Sequence, residues 1–139
     1  MSDKVYKGSC LCGELAYEIE GEPIRFYHCH CQRCRKATGS AHASNMFIKS
    51  EKINWLKGEN RLASYKVPEA ERFTNSFCSQ CGSRMPRYVA ELNVVMLPAG
   101  SLDSEPPIKP QANIFWDSRP DWGCVAGDVP VYPEYVTDK

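Results

Sequence analysis

The sequence predicts an all-β domain, a sandwich of short antiparallel strands with little helix. Three observations carry that prediction. Apolar residues recur with period two in several stretches. Turn-forming residues interrupt the chain at intervals of roughly 8–12 residues, as in β-sandwiches. Only CRKATG (34–39) and VPEAERF (67–73) have helical character, and both are short.

The elements follow in order. In GELAYEIEG (13–21), Leu15, Tyr17 and Ile19 alternate with Ala16, Glu18 and Glu20, one apolar face against one mixed face. IRFYHC (24–29) reads as a second strand that runs into a cysteine cluster. SNMFIKS, KINWLKG and RLASYKV are further short strands, the last two divided by Gly58, Glu59 and Asn60. RYVAELNVVMLPAGSLD (87–103) reads as a strand, a turn over 91–93 and a buried strand. The tail beyond Leu102 is loop-rich, with Pro106, Pro107 and Pro110. Its aromatic residues Phe115, Trp116, Trp122, Tyr132 and Tyr135 are expected to pin it to the body. No repeat or linker divides residues 1–139, so one domain is expected.

Composition narrows the function. The 139 residues are enough to bury a core. Lys+Arg and Asp+Glu balance at 17 each, which argues against broad electrostatic binding to nucleic acid or an anionic membrane. The polar start MSDKVYKGSC has no signal-peptide core, and no stretch approaches the roughly 20 apolar residues of a membrane span. A cytoplasmic location is expected.

The eight cysteines are the most informative residues. They fall as C-x-C (Cys10, Cys12), C-x-C-x2-C (Cys29, Cys31, Cys34) and C-x2-C (Cys78, Cys81), with Cys124 alone. Repeated close pairs in a chain without an export signal point to metal before disulfides. FCSQCGSRM is a zinc knuckle, with Gly82 supplying backbone freedom after the second thiol. One knuckle is half a tetrahedral site. Cys10 and Cys12, on one face of an extended strand, can supply the other half. By the same geometry Cys29 and Cys31 share a face, and a turn through Gln32 and Arg33 brings Cys34 to them. His28 and His30 alternate with these cysteines and so point away from the metal, where either can act behind the ligands. Cys124 or His42 could supply a fourth ligand. If neither does, three protein ligands leave an open position, the mark of a catalytic zinc. Spacing leaves the partition open, because Cys10 and Cys12 could instead join Cys29 and Cys31.

GSCLCGELAYEI, CHCQRCRKATGS, FCSQCGSRM and VVMLPAGSLDSE, in that order, resemble the glutathione-dependent formaldehyde-activating enzyme family from about Gly8 to about Trp122. The resemblance implies an MSS-four-like, all-β fold with two zinc sites. It implies a structural site at Cys10, Cys12, Cys78 and Cys81, and a catalytic-type site at Cys29, Cys31 and Cys34. Family members commonly carry a histidine where this chain has Asn113, so no role of that histidine is transferred. Cys124 lies beyond the shared pattern and reads as a small apolar residue.

Zn²⁺ with three thiolates is an anion overall. It makes hydroxide from water poorly, but its soft ligand set suits an incoming thiol held as thiolate. The resemblance then implies addition of glutathione to formaldehyde to give S-hydroxymethylglutathione, or the reverse, a carbon–sulfur lyase reaction. Arg33, Arg35 and Lys36 are candidates to bind glutathione carboxylates. Thr38, Gly39 and Ser40 could offer loop donors beside the metal. Trp55, Trp116 and Trp122 are candidates for pocket walls or core. Two other functions fit the same residues: a carrier that binds the thiol or its adduct without turnover, and a structural zinc domain whose second site is closed by another side chain.

Overall fold

The computed structural model describes residues 4–123 and 129–136. Its chain forms β1 (Lys4–Ser9), β2 (Ala16–Cys29), α1 (Gln32–Thr38), β3 (Ala43–Lys49), β4 (Asn54–Lys57), β5 (Leu62–Lys66), β6 (Thr74–Cys78), β7 (Arg87–Val89), β8 (Val94–Pro98) and β9 (Ala112–Ile114). The expected all-β character holds, with α1 at the expected CRKATG segment.

Seven strands make one sheet, five in the order β1-β2-β3-β8-β7 with β4 and β9 also paired to β2, and β5 and β6 form a separate hairpin. β2 organises the large sheet. Its first half pairs antiparallel with β1, from Ser9↔Ala16 to Lys4↔Gly21, and with β4 around Ala16–Glu18. Its second half pairs antiparallel with β3, and parallel with β9 over Tyr27–Cys29. The expected strands over 13–21 and 24–29 are therefore one 14-residue strand. It is irregular between Pro23 and Arg25. A proline has no N–H for a ladder, so it is accommodated at such an irregularity, and the strand changes partners there. Gly21 lies against the Lys49 carbonyl so closely that a Cβ would overlap it.

Leu15, Tyr17 and Ile19 are fully buried, as their alternation predicts. They pack with Met46, Ile48, Met85, Val95 and Leu97, also fully buried. Each such side chain contributes about 1.5–3 kcal/mol through removal from water. The Tyr17 hydroxyl keeps a partner, lying 2.6 Å from Ser101 Oγ. The predicted turn before β8 falls at residues 90–93, and β8 is buried as a continuous run.

One expectation fails and another holds only in part. VPEAERF is a turn between β5 and β6 instead of a helix. The Val67 N–H donates to the Phe73 carbonyl and closes the hairpin, while Pro68 disfavours helical backbone just before it. The tail aromatics anchor the tail only in part: Phe115, Trp122 and Tyr135 are 63%, 66% and 89% exposed, while Tyr132 is half-buried and Trp116 packs edge-on against His30. Backbone pairing also holds the segment. The Gln111 N–H donates to the Phe26 carbonyl at 2.7 Å, and the His30 N–H donates to the Ile114 carbonyl at 3.0 Å. Cys124 lies outside the described residues.

Candidate metal centres

Two turns build the first centre. After β1, the Gly13 N–H donates to the Cys10 carbonyl at 3.1 Å, and Gly13 takes φ +79°. After β6, the Gly82 N–H donates to the Cys78 carbonyl at 2.8 Å, and Gly82 takes φ +78°. Each glycine follows the second cysteine of its pair and adopts backbone that other residues resist. Cys10 and Cys12 thus converge through a turn, in place of the extended strand that their spacing suggested. The Leu11 N–H donates to Ser83 Oγ at 2.9 Å and ties the two turns together. Cys81 Sγ lies 3.3 Å from the same Ser83 oxygen. Side-chain and then backbone hydrogen bonding with Ser83 holds the Cys81 thiol down at about 5. Backbone N–H groups of Leu15 and Gln80 reach the sulfurs of Cys10 and Cys78 at 3.2 and 3.4 Å.

The sulfurs of Cys10, Cys12, Cys78 and Cys81 all lie within 4.8 Å of one another. Cys10–Cys12 and Cys12–Cys78 are 3.6 and 3.9 Å apart. A tetrahedral zinc with bonds of about 2.3 Å spaces its sulfurs by about 3.8 Å, so this donor set fits the ion. The separations exceed a disulfide bond, and the seven described cysteines are free.

The second centre forms where β2 passes into α1. Cys29 ends the strand, Cys31 is the helix N-cap, and Cys34 sits in the first turn. The Cys34 N–H donates to Cys31 Sγ at 3.3 Å, so a sulfur takes the usual place of a capping oxygen. The three sulfurs lie within 4.8 Å of one another, and among the described residues no fourth His, Cys, Asp or Glu joins them. A hydrogen bond from Cys34 pulls the Cys29 thiol down to about 6, and the same bond, with burial, raises Cys34. Soft sulfurs in this number suit zinc, with room for a further ligand.

All three histidines gather beside this trio without joining either cysteine group. His28 and His42 rings are 4.1 Å apart between centroids, and His30 lies 5.0 Å from His42 and 4.9 Å edge-on to Trp116. Burial, then the neighbouring imidazoles, lowers the pKa of His28 and of His42. His28 Nδ1 pairs with Ser44 Oγ at 3.1 Å.

Arg33 and Lys36 are exposed on α1, whereas Arg35 is half-buried and its Nε has no hydrogen-bond partner. The Thr38 hydroxyl donates to the Cys34 carbonyl at 2.8 Å, the Gly39 N–H to the Arg35 carbonyl at 2.7 Å, and the Ser40 N–H to Thr38 Oγ1 at 3.3 Å. These three residues close the helix C-terminus, which uses the donors that were expected to face a ligand. Trp55 packs against the core and Trp122 is exposed. Sequence reasoning missed Arg84. It reaches Asn75 and Asn45 and lies in the electrostatic reach of the second centre. Its position just past the knuckle glycine was the available signal.

The family model described as glutathione-dependent formaldehyde-activating enzyme matches residues 5–118. No curated protein matches the chain. The crystal structure of a Rhodobacter sphaeroides protein, a structural-genomics target, is similar with a TM-score of 0.58 and 19% identity. The match covers 77% of this chain and 98% of that one, and at this identity the likeness is one of fold.

Proposed function

Because this chain belongs to the family of glutathione-dependent formaldehyde-activating enzymes, we propose that it forms or cleaves the carbon–sulfur bond of S-hydroxymethylglutathione. The observation that carries this reading is the Cys29, Cys31 and Cys34 cup, with no fourth acidic, histidine or cysteine ligand among the described residues. In this reading Cys10, Cys12, Cys78 and Cys81 hold a structural zinc and the trio a second. Zinc held at the trio supplies a cation that favours the thiolate form of an incoming thiol. Cys29, Cys31 and Cys34 fix where that sulfur sits, and the helix cap at Cys31 keeps their spacing. Arg33, Arg35 and Lys36 lie on α1 next to the cup and are candidates for the glutathione carboxylates. The thiol proton leaves to solvent, sulfur bonds to the aldehyde carbon, and the carbonyl oxygen takes up a proton as its π bond opens. Seven free thiols suit a reducing compartment, the cytoplasm, and no helix among the described residues is long and apolar enough to cross a membrane.

Zinc counting with zinc-edge X-ray absorption, before and after glutathione, tests the site. Two zincs per chain are expected, one of them changing from three sulfur ligands to four. Exchange spectroscopy of glutathione with formaldehyde tests turnover. Two zincs that both ignore glutathione would exclude the reading, and binding without faster exchange would reduce the protein to a carrier.

A further inference from the structure

Arg84 follows the turn that carries Cys81, yet its charge feels the cysteines of the other centre. Nε donates to Asn75 Oδ1 at 2.7 Å, and Nη1 makes a longer contact of 3.5 Å with Asn45 Oδ1. Both amides lie near residues that pack around the cysteine cup. Asn45 is two residues from Ala43, which stands opposite Cys29 and packs in the same cluster as Cys29 and Cys34. Asn75 is two residues from Phe73, which packs against that cluster. Asn45 and Ala43, at i+2 and i of β3, share a face.

Burial works against the Arg84 charge, and Cys34 and Cys29 are the largest favourable influences on it. Among the described residues the ion pairs are Lys7–Glu18 and Arg61–Glu14, so Arg84 has no carboxylate partner there. A half-buried cation without a counter-ion is costly unless an anion is near. Three thiolates on a divalent cation make that anion, and a fourth thiolate doubles its negative charge. Two neutral amides hold the guanidinium without cancelling it.

We infer that Arg84 is a positioning residue whose charge, held by Asn75 and Asn45, allows the three-cysteine centre to accept a fourth thiolate. The inference rests on the open-site reading above and adds a specificity: the centre takes thiols as anions whether or not they carry a carboxylate. The same guanidinium could instead clamp a substrate carboxylate, and the two roles separate by choice of thiol.

The test uses the full chain loaded with cobalt(II), whose thiolate charge-transfer band reports each added sulfur. Wild type, Arg84→Gln and Arg84→Lys are titrated with 2-mercaptoethanol and with 3-mercaptopropionate. We expect Arg84→Gln to bind both thiols about tenfold more weakly and to need about one pH unit more for half-binding. Arg84→Lys, which keeps the charge, should recover most of the affinity. Should Arg84→Gln fail to hold metal, Asn75→Asp carries the test, since a carboxylate of the same shape neutralises the guanidinium and should weaken both thiols alike. Unchanged affinities in the variants overturn the inference. So does a loss confined to 3-mercaptopropionate, which would make Arg84 a carboxylate clamp. A wild-type band that ignores both thiols overturns the open-site reading and the inference with it.

Discussion

His30 Nε2 lies 2.9 Å from Asn113 Oδ1, across 83 residues of sequence. The amide oxygen accepts, so His30 carries its proton on Nε2. Asn113 gets there because β9 runs parallel to the end of β2, pairing Asn113 with His28. Asn113 thus steadies a buried histidine beside the cysteine trio. Asn113→Ala should lower unfolding free energy by about 0.5–1.5 kcal/mol, the net worth of such a bond where water can partly replace it. A urea midpoint equal to that of wild type would show that the bond contributes nothing.

The two cysteine centres should respond differently to one lost sulfur. Cys78 is fully buried where the two turns meet, whereas Cys34, also buried, lies in the first turn of α1. Cys78→Ser should unfold the chain or lower its melting temperature by many degrees, because a structural metal contributes folding free energy directly. Cys34→Ser should keep circular dichroism and most stability and lose thiol binding. Equal damage from both substitutions would disprove the division of roles.

Metal release should occur in two steps. A chelator can approach a centre with three protein ligands more readily than one closed by four. Zinc followed with a colorimetric indicator should leave in a fast and a slow phase of equal amplitude, with unfolding accompanying only the slow one. A single phase, or unfolding in the fast one, contradicts the assignment.

Gly8 stands where β1 crosses the Tyr17 ring. A Cβ there would overlap the Tyr17 hydroxyl end and the Ser101 carbonyl. Gly8→Ala should therefore destabilise by about 1–3 kcal/mol, the usual cost of overpacking, measured by chemical denaturation. Gly100, whose Cβ would meet nothing within 4 Å, is the control.

Tyr17 should make the fold sensitive to alkali. Burial pushes its pKa upward from the model-peptide 10.0, outweighing the bond to Ser101. Above pH 10 the unfolded chain loses this proton and the folded one keeps it. Stability is therefore intact below pH 10 and falls above it, by about 1.4 kcal/mol per unit for this group, until the folded pKa is reached. Tyr17→Phe should flatten that part of the curve. A slope unchanged by the substitution would assign it to other groups.

Much of this was legible locally. Period two over 13–21 specified a buried face of Leu15, Tyr17 and Ile19. C-x2-C-G specified the turn at Cys78–Gly82, and the short CRKATG segment specified α1. Such features depend on residues a few positions apart, where steric and hydrogen-bonding preferences act without the rest of the chain. Spacing alone left open which cysteine pairs share an ion. That depended on Cys12 meeting Cys78 at 3.9 Å across 66 residues, and sheet pairing and the Leu11–Ser83 bond make that meeting possible. Nor did periodicity show that β2 continues through Pro23, because the β3 partners that sustain it are distant in sequence. The aromatic tail misled in part for a related reason: its attachment includes backbone pairing with β2, invisible in side-chain pattern. Arg84 is the clearest case. β3 and β6 bring Asn45 and Asn75 to its one guanidinium, a juxtaposition that only the packed chain creates.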